Sequence, residues 1–150
     1  MEKKSISKVP FRLNHISTEQ FATIKSAFSE EGGKIGLSTS MSFGVNPTAK
    51  SIAAISKFEF DQNKNVFLLI EVACHFEIED TAWNAMLEES GERLVLPEGL
   101  AMHFAVLTVG TARGVLHAKT EKTTFNQFVL PTVNLSGVIK DNIVLDLKEE

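Results

Sequence analysis

One cysteine, Cys74, stands in 150 residues, which excludes an internal disulfide and suits a reducing compartment. Positive charge is not in excess. Lys and Arg number 15 against 19 Asp and Glu, a formal −4, so the electrostatic footprint of a nucleic-acid binder is missing. Met1-Glu2-Lys3-Lys4-Ser5 leads into no apolar signal region, and no unbroken apolar run approaches the ~18 residues that span a bilayer. The expectation is a cytoplasmic protein with no membrane insertion. No internal repeat, low-complexity tract or long linker breaks the chain, so 1–150 reads as a single domain.

Catalytic and metal-binding constellations are missing too. His15, His75, His103 and His117 are scattered and share no ligand spacing with Cys74. Zinc sites favour C-x-x-C or H-x-x-x-H pairs, and none occurs, so no metal and no cofactor is expected. Cys74 and His75 are adjacent, but neighbours on a strand point to opposite faces. Glu71, Glu77 and Glu79 repeat at period two, a pattern open to acid/base work and equally to a solvated or partner-facing sheet surface. Gly32-Gly33 lacks the Lys-Ser/Thr that completes a phosphate loop and reads as a turn. With no catalytic residue singled out, the chain reads as a binding or assembly protein rather than an enzyme.

What the sequence does contain is patterned apolar surface, at 43% of residues. Val9, Phe11 and Leu13 alternate with polar neighbours as in a half-buried strand. From Thr18 to Glu30, Phe21, Ile24, Ala27 and Phe28 sit at helical spacing, although an irregular connection fits as well. Leu37, Thr39, Met41, Phe43 and Val45 share one phase of a second strand. A third runs from Ser51 to Phe60, and a polar turn, Asp61–Asn65, leads into a long fourth, Val66 to Ile78. One face of that strand carries Val66, Leu68, Ile70, Val72, Cys74, Phe76 and Ile78. The other turns from apolar (Phe67, Leu69) to polar (Glu71, His75, Glu77). Asp80 caps an expected helix from Thr81 to Ser90, closed by Gly91. Pro97 opens a second helix to about Lys119 whose apolar residues nearly encircle it, predicting cover on more than one side. Strands followed by helices, without βαβ alternation, indicate an α+β domain.

The stretch from Leu100 to Leu135 supplies more apolar surface than a small domain usually hides. Gly110 and Gly114 put small residues along the helix, which serves either close packing on the chain's own sheet or self-association. Phe125, Phe128, Val129, Leu130, Val133 and Leu135 follow, with Pro131 barring regular helix. That segment is either a core-packed connector or the wall of a groove for extended chains.

Three segments carry a family resemblance that covers most of residues 9–137. Phe11-Arg12-Leu13-Asn14-His15-Ile16-Ser17-Thr18 resembles the opening strand of SecB, the bacterial export chaperone. Phe67-Leu68-Leu69-Ile70-Glu71-Val72 with Phe76 and Ile78 is similar to its long strand. Thr111-Ala112-Arg113 through Thr124-Phe125, Gln127, Leu130, Val133 and Asn134 is similar to its major helix and following loop. The resemblance implies a four-stranded antiparallel sheet with two helices packed on one face, assembled as a dimer or tetramer. It implies an ATP-independent chaperone that holds unfolded or precursor polypeptides for export and hands them to the SecA motor.

Carried over by position, substrate would be bound by Leu37, Met41, Phe43, Phe125, Phe128, Leu130, Val133 and Leu135, with Trp83 and Met86 near the groove mouth. SecA would dock on Leu69 and Glu71. Ile70, Val72 and Cys74 would influence assembly, together with Phe104, Leu107, Gly110 and Gly114 of the helix. The chain departs from the family in being only mildly acidic. Gln20 and Ile24 stand where the family has acids, with Glu19 the nearest substitute. The final helix of the family is replaced by an alternating segment, 138–147. Two other outcomes fit the same pattern: a SecB-like chaperone that protects an antitoxin, and a small oligomeric hot-dog-like enzyme or ligand-binding domain recruiting Glu71, His75 or His103. A third is a protein whose apolar surface is consumed by self-contact alone.

Overall fold

The computed structural model describes residues Pro10–Lys148; the expected strand start at Val9 lies outside them. Period-two patterning builds a four-stranded antiparallel sheet from β1 (Phe11–Thr23), β2 (Ile35–Asn46), β3 (Ser51–Gln62) and β4 (Asn65–Ile78), in the order β1-β4-β3-β2. β3 alternates without a break. Ile52, Ala54, Ser56, Phe58, Phe60 and Gln62 are buried, and the residues between them are half-buried on the opposite face. That opposite face is the outer one, and among the described residues no helix lies over it. Asn63 and Lys64 both take positive φ, 52° and 67°, as a two-residue turn matched to strand twist demands. The Asp61 carboxylate accepts the Lys64 N–H and fixes that turn.

The ambiguous stretch after Thr18 is strand to Thr23 and then a short 3-10 turn, Lys25–Ala27. Its apparent helical spacing has a physical origin. β1 shifts register against β4 between Leu13 and His15 and again between Thr18 and Gln20. Each bulge adds a residue and erases the period-two signal.

Helix α1 (Asp80–Met86) is shorter than expected, because Leu87 bridges to Leu94 and the chain turns at Gly91, φ 71°. A strand of four residues, β5 (Arg93–Leu96), then pairs antiparallel with β6 (Ile143–Asp146). The alternation in 138–147 announced β6; β5 is too short to show a period.

Helix α2 (Glu98–Thr120) lies over β3 and β4. Ala101, Ala105 and Ala112, all fully buried, allow its close approach, and Phe104 stacks on Phe76 with ring centroids 4.0 Å apart. The Thr108 and Thr120 hydroxyls donate to the carbonyls of Phe104 and Leu116, so their burial leaves no orphan donor. One face of the helix is covered, not several. Val106 is 54% and Leu107 37% exposed, and a methyl group placed on Gly110 or Gly114 would meet no atom within 4 Å. By length and composition alone α2 is apolar enough to cross a bilayer, as the core helix of a globular domain can be, although no unbroken apolar run reaches that length. Interspersed Thr, Gly and His hide that property from a run count. In this fold 44% of its most apolar window is buried.

After α2 the chain runs back over the inner sheet face. Phe125, Leu130, Leu135 and Ile139 enter the core formed by the sheet and α2. The Arg113 guanidinium holds this return by donating to the carbonyls of Leu130 (2.7 Å) and Pro131 (2.8 Å).

Candidate functional site

The site begins with an irregularity in β4. Phe60 pairs with Leu68 and Asp61 with Val66, which leaves Phe67 as an extra residue. A bulge of this kind re-aims a side chain. Phe67, expected on the outer face, is instead fully buried against Phe28 (4.9 Å), Phe128 (5.0 Å) and Phe125 (6.0 Å).

Two connections converge on this cluster. The crossover between β1 and β2 is tied down by the Ile24 N–H, which donates to the Phe67 carbonyl. It is tied again by Gln62, whose side-chain oxygen accepts the Ser29 N–H at 2.8 Å while its amide donates to the Ser29 carbonyl at 2.9 Å. That pair of hydrogen bonds sets Phe28 over Phe67. On the other side α2 ends at Thr120, whose carbonyl accepts from the Thr123 N–H (3.0 Å) and the Thr123 hydroxyl (2.7 Å). Lys122 is thereby held at φ 65°. The Asn126 amide donates to the His117 carbonyl and closes the helix end.

Between the two connections lies a solvent-open cavity of about 550 Å³. Thr23, Lys25, Phe28 and Glu30 line one side of it, and Lys122, Thr123, Thr124 and Phe125 the other. The space suits one or two large side chains of an extended chain, with aromatic rings beneath and hydroxyls and charges at the lips. Among the described residues no group of three His, Cys, Asp or Glu is placed to hold a metal ion.

No protein-family model matches the chain, and no curated protein sequence matches it either. Seven chains of solved structures are similar. One of them is a Mycobacterium tuberculosis SecB-like chaperone in complex with a peptide from an antitoxin. The two share 16% identity over 82% of this chain and 90% of that chain, at a TM-score of 0.47.

Leu37, Met41 and Phe43 of β2 are half-buried against the core, and Met41, Val133, Leu135 and Val138 border a residual void of about 10 Å³. Leu130 and Leu135 are buried, and Phe128 and Val133 are half-buried against the core. In this chain by itself the segment packs on the core as a connector would. Phe125 is the member of the expected set that reaches the cavity. Trp83 and Met86 are buried in the core rather than standing at a groove mouth.

The assembly set divides. Ile70, Val72, Cys74 and Phe104 are fully buried within the chain itself, so they present no side-chain surface. Leu107, Gly110 and Gly114 do lie on the exposed face of α2. Leu69 and Glu71 lie on the outer sheet face, where Gln20 pairs with Glu71 and Ala22 with Leu69, while Glu19 sits in the β1 bulge and accepts from the Ser17 hydroxyl. Glu71 and His75 share that face, away from α2, while His103 packs edge-on against Phe11 at 5.6 Å. The residues recruited by the hot-dog reading therefore do not converge at one helix–sheet seam. Sequence reasoning missed Phe28, Lys25 and Lys122. Phe28 stood out as a large apolar residue just before Gly32-Gly33, but nothing in the sequence marks the Phe67 bulge it packs on.

Proposed function

We propose that the protein is an ATP-independent holdase for extended polypeptides, of the SecB kind, capturing apolar client side chains in the cavity between the crossover and the exit of α2. The observation that carries this reading is the pair Phe28 and Phe125, which lines a solvent-open cavity of about 550 Å³ continuous with the Phe67 cluster. The resemblance of three segments to SecB supports it independently.

Burying one large apolar client side chain contributes roughly 1.5–3 kcal/mol. That is too little to offset the loss of translational freedom on association, so one cavity alone binds weakly. Useful retention needs several cavities in one particle, which raises the effective concentration of the second site. The exposed stripe of Val106, Leu107, Gly110 and Gly114 on α2 is the surface for that self-association. Leu69 and Glu71 on the outer face, with Glu19 of the β1 bulge, are the surface for SecA, and export delivery belongs to the proposal on that basis.

The test is suppression of aggregation of a chemically unfolded protein, without nucleotide, by the wild type and by Phe28→Ser. Wild type suppresses at near-stoichiometric amounts, and Phe28→Ser loses most of the effect while remaining folded. Absence of suppression by the wild type would end the proposal.

A further inference from the structure

The cavity has a charge as well as an aromatic floor. Lys25 lines one lip and Lys122 the other, against a single lining acid, Glu30. Neither lysine enters an ion pair among the described residues, whereas Lys50, Lys57 and Lys148 all do. Glu121, next to Lys122 in the chain, is directed to His117 at 3.5 Å. A further cation, Lys119, stands 5.5 Å over the Phe21 ring two residues before Thr23. At the C-terminal end of α2 the carbonyls of Thr120 and His117 accept from Thr123 and Asn126, so these two are engaged within the chain. Lys122 also occupies the left-handed region, φ 65°, where glycine would sit without strain and a long cationic side chain does not.

We infer that the cavity selects client segments in which an aromatic or large aliphatic side chain is flanked by Asp or Glu. The inference rests on reading the cavity as a polypeptide site and adds its charge specificity. The chain as a whole carries −4, which repels an acidic segment at long range. Screening decides between the two effects. At physiological ionic strength the Debye length is about 8 Å, so charges at the lip act on a seated peptide while the distant ones do not.

The experiment uses labelled peptides of about a dozen residues with one shared Phe-Leu-Phe centre, flanked by Asp, Ser or Lys, and reads binding to the full chain by fluorescence anisotropy. The Asp-flanked peptide binds roughly five- to tenfold tighter than the Lys-flanked one at low salt, and the ratio falls toward unity at high salt. The double variant Lys25→Glu/Lys122→Glu inverts the order, and the neutral pair Lys25→Met/Lys122→Met flattens it. Lys50→Glu, at the opposite end of the sheet, leaves the order unchanged. Equal affinity for all three peptides overturns the inference and leaves the holdase reading standing. No peptide binding, with aggregation still suppressed, also overturns the inference alone. No binding and no suppression removes both.

Discussion

Arg113 decides whether the inner sheet face is covered, and its removal is the sharpest test of this architecture. Its two donated bonds reach over the return of the chain to Leu130 and Pro131. Arg113→Met keeps the aliphatic stem and deletes only the donors, which separates hydrogen bonding from packing. The bond to the buried Leu130 carbonyl comes from a charged donor, and bonds of that class contribute ~1.5–3 kcal/mol. The bond to Pro131 is exposed and adds ~0.5 kcal/mol, the lower end for an ordinary hydrogen bond. The expected loss is therefore about 2–3.5 kcal/mol, a large share of the 5–15 kcal/mol typical of a domain. Urea unfolding measures it as a fall in midpoint at unchanged slope. Hydrogen exchange supplies the local readout, since amides from 128 to 139 lose protection before those of β3 and β4. Binding of a hydrophobic dye rises as Leu37, Met41 and Phe43 come into view. A loss below ~0.5 kcal/mol, the ordinary scatter of surface substitutions, with unchanged exchange would refute the clamp.

Gln62→Leu removes the amide that grips Ser29 and costs ~1–3 kcal/mol; the Ser29 amide exchanges faster and client binding weakens, and unchanged client affinity would detach the crossover from the site. Ser56 is fully buried with its hydroxyl unpartnered among the described residues, so Ser56→Ala raises the unfolding free energy by about 1 kcal/mol in urea titration, and a comparable loss would mean that the hydroxyl is satisfied. Gly110→Ala and Gly114→Ala each stabilise the isolated chain by ~1 kcal/mol, since the added methyl meets nothing within 4 Å. The same two changes weaken self-association in sedimentation if copies meet closely on this face, and sedimentation unchanged by both rules that face out.

Legibility in the sequence followed the regularity of the backbone. β3, the turn at Asn63-Lys64 and β4 beyond Phe67 follow period two, so their phase, and with it the buried set Ile52, Phe58, Phe60, Leu68, Ile70 and Phe76, could be read directly. β1 could not be read past Thr18, because two bulges shift its phase. The apolar excess of 100–135 was visible, but its destination was not. Composition counts apolar side chains without saying whether the chain folds back on itself, and the clamp that makes it do so joins residues 17 and 18 positions apart. The candidate site fared worst. It depends on a bulge, a glutamine clamp and a left-handed lysine, and all three are features of pairing geometry rather than of local pattern.

Helix α2 connects the cavity to the proposed self-association. The cavity sits at its C-terminal exit, and the exposed stripe runs along its middle. A 23-residue helix is about 35 Å long at 1.5 Å per residue. Two copies joined antiparallel through the stripe would place their cavities near opposite ends, roughly 35 Å apart. An extended client covers at most ~3.3–3.6 Å per residue, so about ten residues must separate two anchoring side chains before both cavities can be filled at once. Peptides with two Phe-Leu-Phe centres at increasing separation therefore change from weak to tight binding near that length, and then weaken slowly as the linker grows. A smooth dependence on length, with no threshold, would mean that each cavity acts alone and that retention comes from elsewhere on the surface.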